Sequence, residues 1–425
     1  MTLVRMALGS YRCFAQRQDI QLSPITVILG KNNSGKSALV RAPVVCNTGI
    51  RTDSPAPLDL DVLNEDMLDS FVDLIYGNRP HGNVLIELEF DHQPMPLKLS
   101  ATVQHIDEYR NQVVSFLELQ MGEERATLKW EPRDPPENLT YSIQYGGRTF
   151  EGVPIEFKGL LPVAVDIDAA SKDACFHLMN TAAAIRNSYP TVRYFGPFRD
   201  RPQRRYRLPA RMPIEVGMSG EFAAGILASD IARGQGLLVR QVNQDLADNL
   251  PGWSLSVVER GGMYSVLLTS RGDDSLRVNL ADAGTGVAQV LPIFVQRAVD
   301  ILNPPRGSVL EVIEQPELHL HPAAHAALAD LYLYAAERTR VRFIIETHSE
   351  TLLLRLRRRI AEGLNSDMVA VYFIDNVDGE AHARRVNVSA DGSLDYWPDG
   401  VFSEDYDETR ALAAAQLAKG DLGAG

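Results

Sequence analysis

The sequence predicts an α/β fold: a P-loop head with a split sheet, joined by an antiparallel β lobe, a helical insertion and a small C-terminal cap. Three observations predict it. Gly30–Ser37 reads GKNNSGKS and fits G-x-x-x-x-G-K-[ST], between an apolar run, Ile25–Leu29, and the helix-like start Ser37–Arg41. Segments between 83 and 145 alternate apolar and polar residues, as antiparallel strands with one solvated face do. From 307 to 374, apolar strand-like runs alternate with helical ones, and the first of these strands ends in an acid, Glu314.

The loop sequence carries its own chemistry. Gly30 and Gly35 let the backbone turn tightly without a Cβ clash. The loop N–H groups, across Asn32, Asn33, Ser34 and Gly35, then point at phosphate oxygens, where a helix N-terminus also favours negative charge. Lys36 reaches the β- and γ-phosphates, and the Ser37 hydroxyl binds Mg²⁺. A chance match is the bland alternative, and the strand-then-helix context counts against it.

The whole chain sets bounds. Its 425 residues can bury a large core, as one big domain or two or three smaller ones. Hydrophobic content of 45% and charged content of 23% are those of an ordinary globular protein. No run approaches the roughly 18 apolar residues of a membrane span. The opening MTLVRMALGSYRCF turns polar too soon for a signal peptide. Cys13, Cys46 and Cys175 stand far apart with no metal or redox spacing, which fits a reducing cytoplasm. A net charge of −13 argues against broad nonspecific nucleic-acid binding but leaves room for a local basic stripe.

Taken in order, residues 1–29 read as a strand (Leu3–Leu8), a turn and a second strand (Ile20–Leu22) before the loop strand. Tyr11 and Arg12, on the turn, are candidates to flank an adenine base; an exposed hairpin is the alternative. Residues 43–82 are Pro- and Asp-rich, with one short helix expected at Leu68–Tyr76. Asn83–Phe90, Leu97–Gln104, Val113–Gln120, Arg125–Trp130 and Tyr141–Tyr145 form the expected meander. Ala169–Ser188 reads as a helix, and Phe222–Leu250 as one or two more. Between them, Val192–Arg211 interleaves Arg199, Arg201, Arg204, Arg205 and Arg207 with Tyr194, Phe195, Phe198 and Tyr206, a composition that can hold a phosphate backbone and stack bases. Its bland reading is a loop whose arginines pair with the protein's own acids. A hairpin is expected around Gly261-Gly262. Strands at Val309–Ile313, Arg342–Glu346 and Met368–Ile374 and helices at Pro322–Glu337 and Glu350–Ala361 complete the pattern, and no heptad run predicts a long coiled coil.

The GKNNSGKS loop, NLADAGTGVAQVLPI (279–293), VLEVIEQPELHLHP (309–322) and IIETHSE (344–350) resemble, in order and spacing, four motifs of one family. They are the P-loop, signature, acidic strand end and switch histidine of ABC-type ATPase heads of the SMC/RecF and OLD-like (overcoming lysogenization defect) branch of AAA-family ATPases. The likeness covers residues 1–45 and 275–375 well and the middle only in outline. The stretch Tyr396–Phe402, YWPDGVF, resembles a small domain of unknown function that closes many bacterial ATPases of this kind. The expected division is an N-terminal ATPase lobe (1–165), a helical, Arg-rich insertion (166–250), a C-terminal ATPase lobe (251–375) and a cap with tail (376–425).

The resemblance implies ATP and Mg²⁺ as ligands and a homodimer that sandwiches ATP. One copy gives its P-loop; the other gives a signature turn at Asp282, Gly284, Thr285 and Gly286. Glu314 matches the metal-assisting acid, His348 the switch histidine, and Leu318–Pro322 the dimer-contacting loop. Two departures follow. Gln315 stands where a second carboxylate usually orients the attacking water; it holds a water but takes no proton, a loss typically worth roughly 10²–10⁴-fold. Glu317 is a candidate replacement. The family's metal-contacting glutamine after the P-loop has no match in Asp66–Asn78. Tight binding and slow turnover are therefore expected, since phosphoryl transfer relies mainly on positioning and electrostatics.

Other clusters are weaker signals. His319, His321 and His325 lack the companions of a zinc site. Glu346 and Glu350 flank His348 and either form a second acidic site or orient the histidine and cap the next helix. Asp375, Asp378 and Glu380 sit on a turn with too little chain after them for the nuclease domain of OLD-like enzymes. Arg355, Arg357, Arg358 and Arg359 form a basic cluster that is either a partner or DNA surface or a solvated helix face. The resemblance extends to ATPase subunits of antiphage systems such as Septu. It points to a cytoplasmic, ATP-switched dimer gating a separate effector, for example an HNH-type nuclease. A RecF-like repair ATPase that binds DNA or RNA, and a scaffold with negligible turnover, are the alternatives.

Overall fold

The computed structural model describes residues 2–63, 67–92, 94–109, 111–132, 139–249, 252–397 and 410–412. Its centre is a six-stranded sheet in the order Thr191–Phe195, Val309–Glu314, Val341–Glu346, Ile25–Gly30, Val369–Val377, Glu380–Val386. The first five strands run parallel and the last is antiparallel. The central strands are apolar at almost every position because both faces are covered. Ile28, Val312, Ile344 and Tyr372 face one apolar core; their neighbours Val27, Ile313, Ile345 and Phe373 face the other.

The first core lies under a nine-stranded sheet in which Asn83–Asp91, Leu97–Ile106, Asn111–Met121, Glu124–Glu131, Thr140–Tyr145, Arg148–Lys158 and Leu161–Val165 follow one another as an antiparallel meander. Thr2–Gly9 and Gln18–Gln21 extend it beyond Asn83–Asp91. The expected meander is present and longer by two strands, the first entered through a turn at Gly146-Gly147, both with positive φ. The second core is closed by helices Thr285–Leu302, Pro322–Arg338 and Glu350–Ala361. A third sheet joins Trp253–Arg260 and Met263–Ser270, the expected hairpin, to Asp273–Asn279 and Tyr206–Arg207.

The stretch expected as one helical insertion is divided among these layers. Lys172–Ser188 buries Leu178, Ala182 and Ile185 in the first core, Thr191–Phe195 is an edge strand of the central sheet, and Ala223–Arg233 and Leu237–Asn249 pack in the second core. The cap begins as part of the same sheet, since Glu380–Val386 pairs with Val369–Val377. The short helix expected at Leu68–Tyr76 is two 3₁₀ turns, Phe71–Leu74 and Tyr76–Asn78, broken at an extended Ile75. Asp66, Pro398–Phe402 and most of the acidic and Ala-rich tail lie outside the described residues.

Candidate nucleotide site

The loop leaves its strand through Gly30, at φ 154°, and enters the helix through Gly35, at φ 102°. Neither position tolerates a side chain: a Cβ on Gly30 would lie 2.5 Å from the Ile374 carbonyl oxygen, and one on Gly35 would lie 2.4 Å from Cys13 Sγ. Asn33 turns the loop at φ 60°. Lys31, Asn32 and Asn33 are exposed, whereas Ser34 is buried and its hydroxyl has no hydrogen-bond partner among the described residues. Helix Lys36–Val40 passes through Arg41, still helical, into Ala42–Ile50, where Pro43 in the first turn starts a new run. Lys36 Nζ donates to the Lys31 carbonyl at 2.6 Å, and burial pulls its pKa down against the attraction of Glu346. An orphaned hydroxyl, a buried ammonium and a cradle with no room for Cβ atoms fit a phosphate group.

Two acids stand at the ends of adjacent strands. Glu314 and Glu346 are register partners, and the strand of Glu346 is the one that adjoins the loop strand. Glu314 is fully engaged. Arg41 Nε and a terminal guanidinium N–H donate to its two oxygens at 2.5 and 2.8 Å, and the Tyr194 hydroxyl donates at 2.8 Å. The hydrogen bonds and charge of Glu314 hold the Arg41 pKa above its usual range. Glu346, 2% exposed, accepts from Ser37 Oγ at 3.1 Å through one oxygen. Its other oxygen has no hydrogen-bond partner among the described residues. Burial, with Glu314 beside it, pushes its pKa up to about 7, against the Ser37 bond and Lys36.

The strand after Glu314 ends in a turn at Gln315, whose φ of 44° is unusual for a side-chain-bearing residue. Its N–H donates to the Glu346 carbonyl at 2.8 Å. Glu317 is buried; one oxygen accepts from the His348 N–H at 2.7 Å, and burial raises its pKa. His348 itself is exposed, and its pKa is lowered by burial of part of the ring and by Lys36. Gln315, Glu317 and His348 thus converge on one end of the sheet. Ser349 caps the next helix, and His325 binds the Ser349 hydroxyl at 2.8 Å and the Leu320 carbonyl, while His319 and His321 are exposed.

Asp282 and Gly284 lie exposed before helix Thr285–Leu302. A Cβ on Gly286 would come within 2.8 Å of the His319 carbonyl oxygen, so the signature turn and the Leu318–Pro322 loop touch within one chain. Two expected contacts need correction. Tyr11 is 1% exposed, packed in the first core, and offers no face to a base; Arg12 is turned to the Met67 carbonyl. Arg199, 5% exposed, stacks on Phe195 and donates to backbone carbonyls, including those of Glu314 and Gln315. Arg204 grips Asp282 with two hydrogen bonds of 2.6–2.7 Å. Arg201, Arg205 and Arg207 are exposed and form no ion pair among the described residues. Arg41 and Tyr194, which complete the site, were legible only as a helix position four residues after Ser37 and as one aromatic among several.

Residues 234–353 match the model of the AAA ATPase domain, and residues 364–412 match a family described as protein of unknown function (DUF3696). In fold, the chain is similar to an SMC head bound to the C-winged helix domain of ScpA, with a TM-score of 0.50, 12% identity and 92% of this chain and 98% of that one covered. The chain has the fold of an SMC head, and its residues 234–353 are similar to the AAA ATPase domain. Two further SMC heads align at lower scores. The head domain from Thermotoga maritima gives 13% identity, coverage of 91% and 100% and a TM-score of 0.44. The Pyrococcus furiosus head with an extended coiled coil, bound to the C-terminal domain of ScpA, gives 12%, 91% and 96%, and 0.47. None of the curated proteins matches the chain. The AAA match begins well after the P-loop in sequence, but the central sheet sets the loop strand beside the strand of Glu346. Among the described residues, no helix is long and apolar enough to cross a membrane.

Proposed function

We propose that the protein is an ATPase that binds ATP tightly, turns it over slowly, dimerises around it and thereby gates a separate effector, a nuclease, in bacterial antiphage defence. The observation that carries the nucleotide part is the convergence of Lys36, Ser37, Glu314, Glu346, Glu317 and His348 on the C-terminal ends of three neighbouring strands. There, Lys36 exchanges the Lys31 carbonyl for phosphate oxygens, and the buried Ser34 hydroxyl gains a partner. Ser37, with an acid from the strand ends, holds Mg²⁺, which when bound neutralises charge on the β- and γ-phosphates. Gln315 orients water without accepting its proton, the buried Glu317 is the nearest candidate base, and His348 faces the γ-phosphate. The signature turn, Asp282 to Gly286, serves the partner copy's nucleotide.

The test is ATP hydrolysis and oligomeric mass, measured together for the parent and Lys36→Ala, with and without duplex DNA. Slow, Lys36-dependent turnover in an ATP-induced dimer that ignores DNA is the expected result. A monomer in saturating ATP would refute the switch. Gln315→Glu is expected to raise turnover at least tenfold, on the order of what a restored base supplies. Exposed, unpaired Arg201, Arg205 and Arg207 favour one other reading, a RecF-like ATPase; stimulation by DNA that fades with added salt would select it.

A further inference from the structure

We infer that Glu346 supplies a carboxylate to the divalent cation beside Ser37, the position for which the sequence nominates Glu314. The inference rests on the nucleotide reading and deepens it. Strand order comes first: Val341–Glu346 adjoins the P-loop strand, whereas Val309–Glu314 lies one strand farther out, roughly 5 Å away. Occupancy comes second. Both oxygens of Glu314 are taken by Arg41, and one also by Tyr194. Glu346 touches the Ser37 hydroxyl with one oxygen and keeps the other unpartnered among the described residues, at 2% exposure.

Counter-charge is the third observation. The neighbouring cations are committed elsewhere, Lys36 to the Lys31 carbonyl and Arg41 to Glu314. Lys36 and Arg41 attract Glu346 without pairing with it, and a divalent ion held jointly with a serine hydroxyl offsets the remaining cost of its burial. The same arrangement answers the absence of a glutamine match after the P-loop, since Glu346 offers a protein oxygen beside Ser37.

The experiment titrates a fluorescent ATP analogue into the full-length parent, Glu346→Gln, Glu314→Gln and Lys36→Ala, in EDTA and in Mg²⁺. Mn²⁺ binding to the nucleotide complex is followed by electron paramagnetic resonance, and the melting temperature of each variant reports folding. Glu346→Gln should lose roughly 10–100-fold in Mn²⁺ affinity and in the Mg²⁺-dependent gain in nucleotide affinity. Glu314→Gln should instead lower the melting temperature, because Arg41 loses its counter-charge and one of its two acceptor oxygens. A Glu346→Gln protein that keeps the parent's metal-dependent gain overturns the inference while leaving nucleotide binding intact. A parent that binds no nucleotide, or binds it equally well as Lys36→Ala, removes the nucleotide reading and this inference with it.

Discussion

Two arginine-rich stretches look alike in sequence and differ in the folded protein. On helix Glu350–Ala361, every arginine has a partner. Arg355 and Arg359 share Asp330 at 2.6–2.9 Å, Arg358 and Arg359 share Glu362 at 2.7 Å, and Arg357 donates to the Gly392 carbonyl. In Val192–Arg211 the arginines split. Arg193 is half-buried among Glu215, Asp300 and Glu311, Arg199 is buried against backbone carbonyls, and Arg204 holds Asp282. Only Arg201, Arg205, Arg207 and Arg211 project without an ion pair among the described residues. The lesson is that a run of like charges says nothing about free charge until each partner is found.

The strongest test of that contrast is Arg193→Ala. It leaves Asp300 and Glu311, two buried acids, with the fully buried Arg297 as their one remaining partner of opposite charge in the cluster, so equilibrium urea unfolding should report a loss of about 3–5 kcal/mol. Next in size is a pH effect from an acid beside the second core. Burial raises the Glu317 pKa in the folded state above its unfolded value. The native state therefore binds the proton more tightly, and stability declines as pH rises from the ordinary glutamate range through the raised value. Glu317→Gln keeps an acceptor for the His348 N–H, so its stability measured from pH 5 to pH 8 should be flatter than the parent's; an equally steep decline would refute the assignment. A smaller effect is expected of Arg359→Ala, about 1 kcal/mol or less, because its pairs with Asp330 and Glu362 are partly solvated. The smallest is the triple change of Arg201, Arg205 and Arg207 to Glu. Its melting temperature should equal the parent's, and a stability loss would mean that these side chains have structural partners. Any salt-sensitive binding to DNA should disappear in that variant alone.

Much of the fold was legible because its signals are local. The P-loop, its flanking strand, the meander and the strands ending in Glu314 and Glu346 follow from periodicity and turn residues. What escaped depends on distant partners. Thr191–Phe195 reads as part of a basic, aromatic loop; its strand character comes from pairing with Val309–Glu314, more than a hundred residues on. Arg148–Lys158 was not expected, although Gly146-Gly147 precedes it, because its alternation is diluted by polar residues on an exposed face. In the site, sequence order brought out Lys36, Ser37 and Glu314. The engagement of Glu314 by Arg41 and Tyr194 needed three elements in register, and no spacing rule encodes it. Tyr11 misled because an aromatic on a turn near the P-loop suits a base, while here the turn packs inward against Ile75.

The P-loop strand, Ile25–Gly30, is flanked by Val341–Glu346 on one side and Val369–Val377 on the other. During synthesis the loop leaves the ribosome early, but its two neighbours are made more than three hundred residues later. The loop strand therefore stays unpaired in that sheet until translation is almost complete, a long-range closure of the kind that folds slowly. A chain cut short between residues 38 and 369 carries the whole GKNNSGKS sequence and lacks one wall of its sheet. A copy that stops there has the phosphate-loop sequence but not the completed sheet that holds it in place.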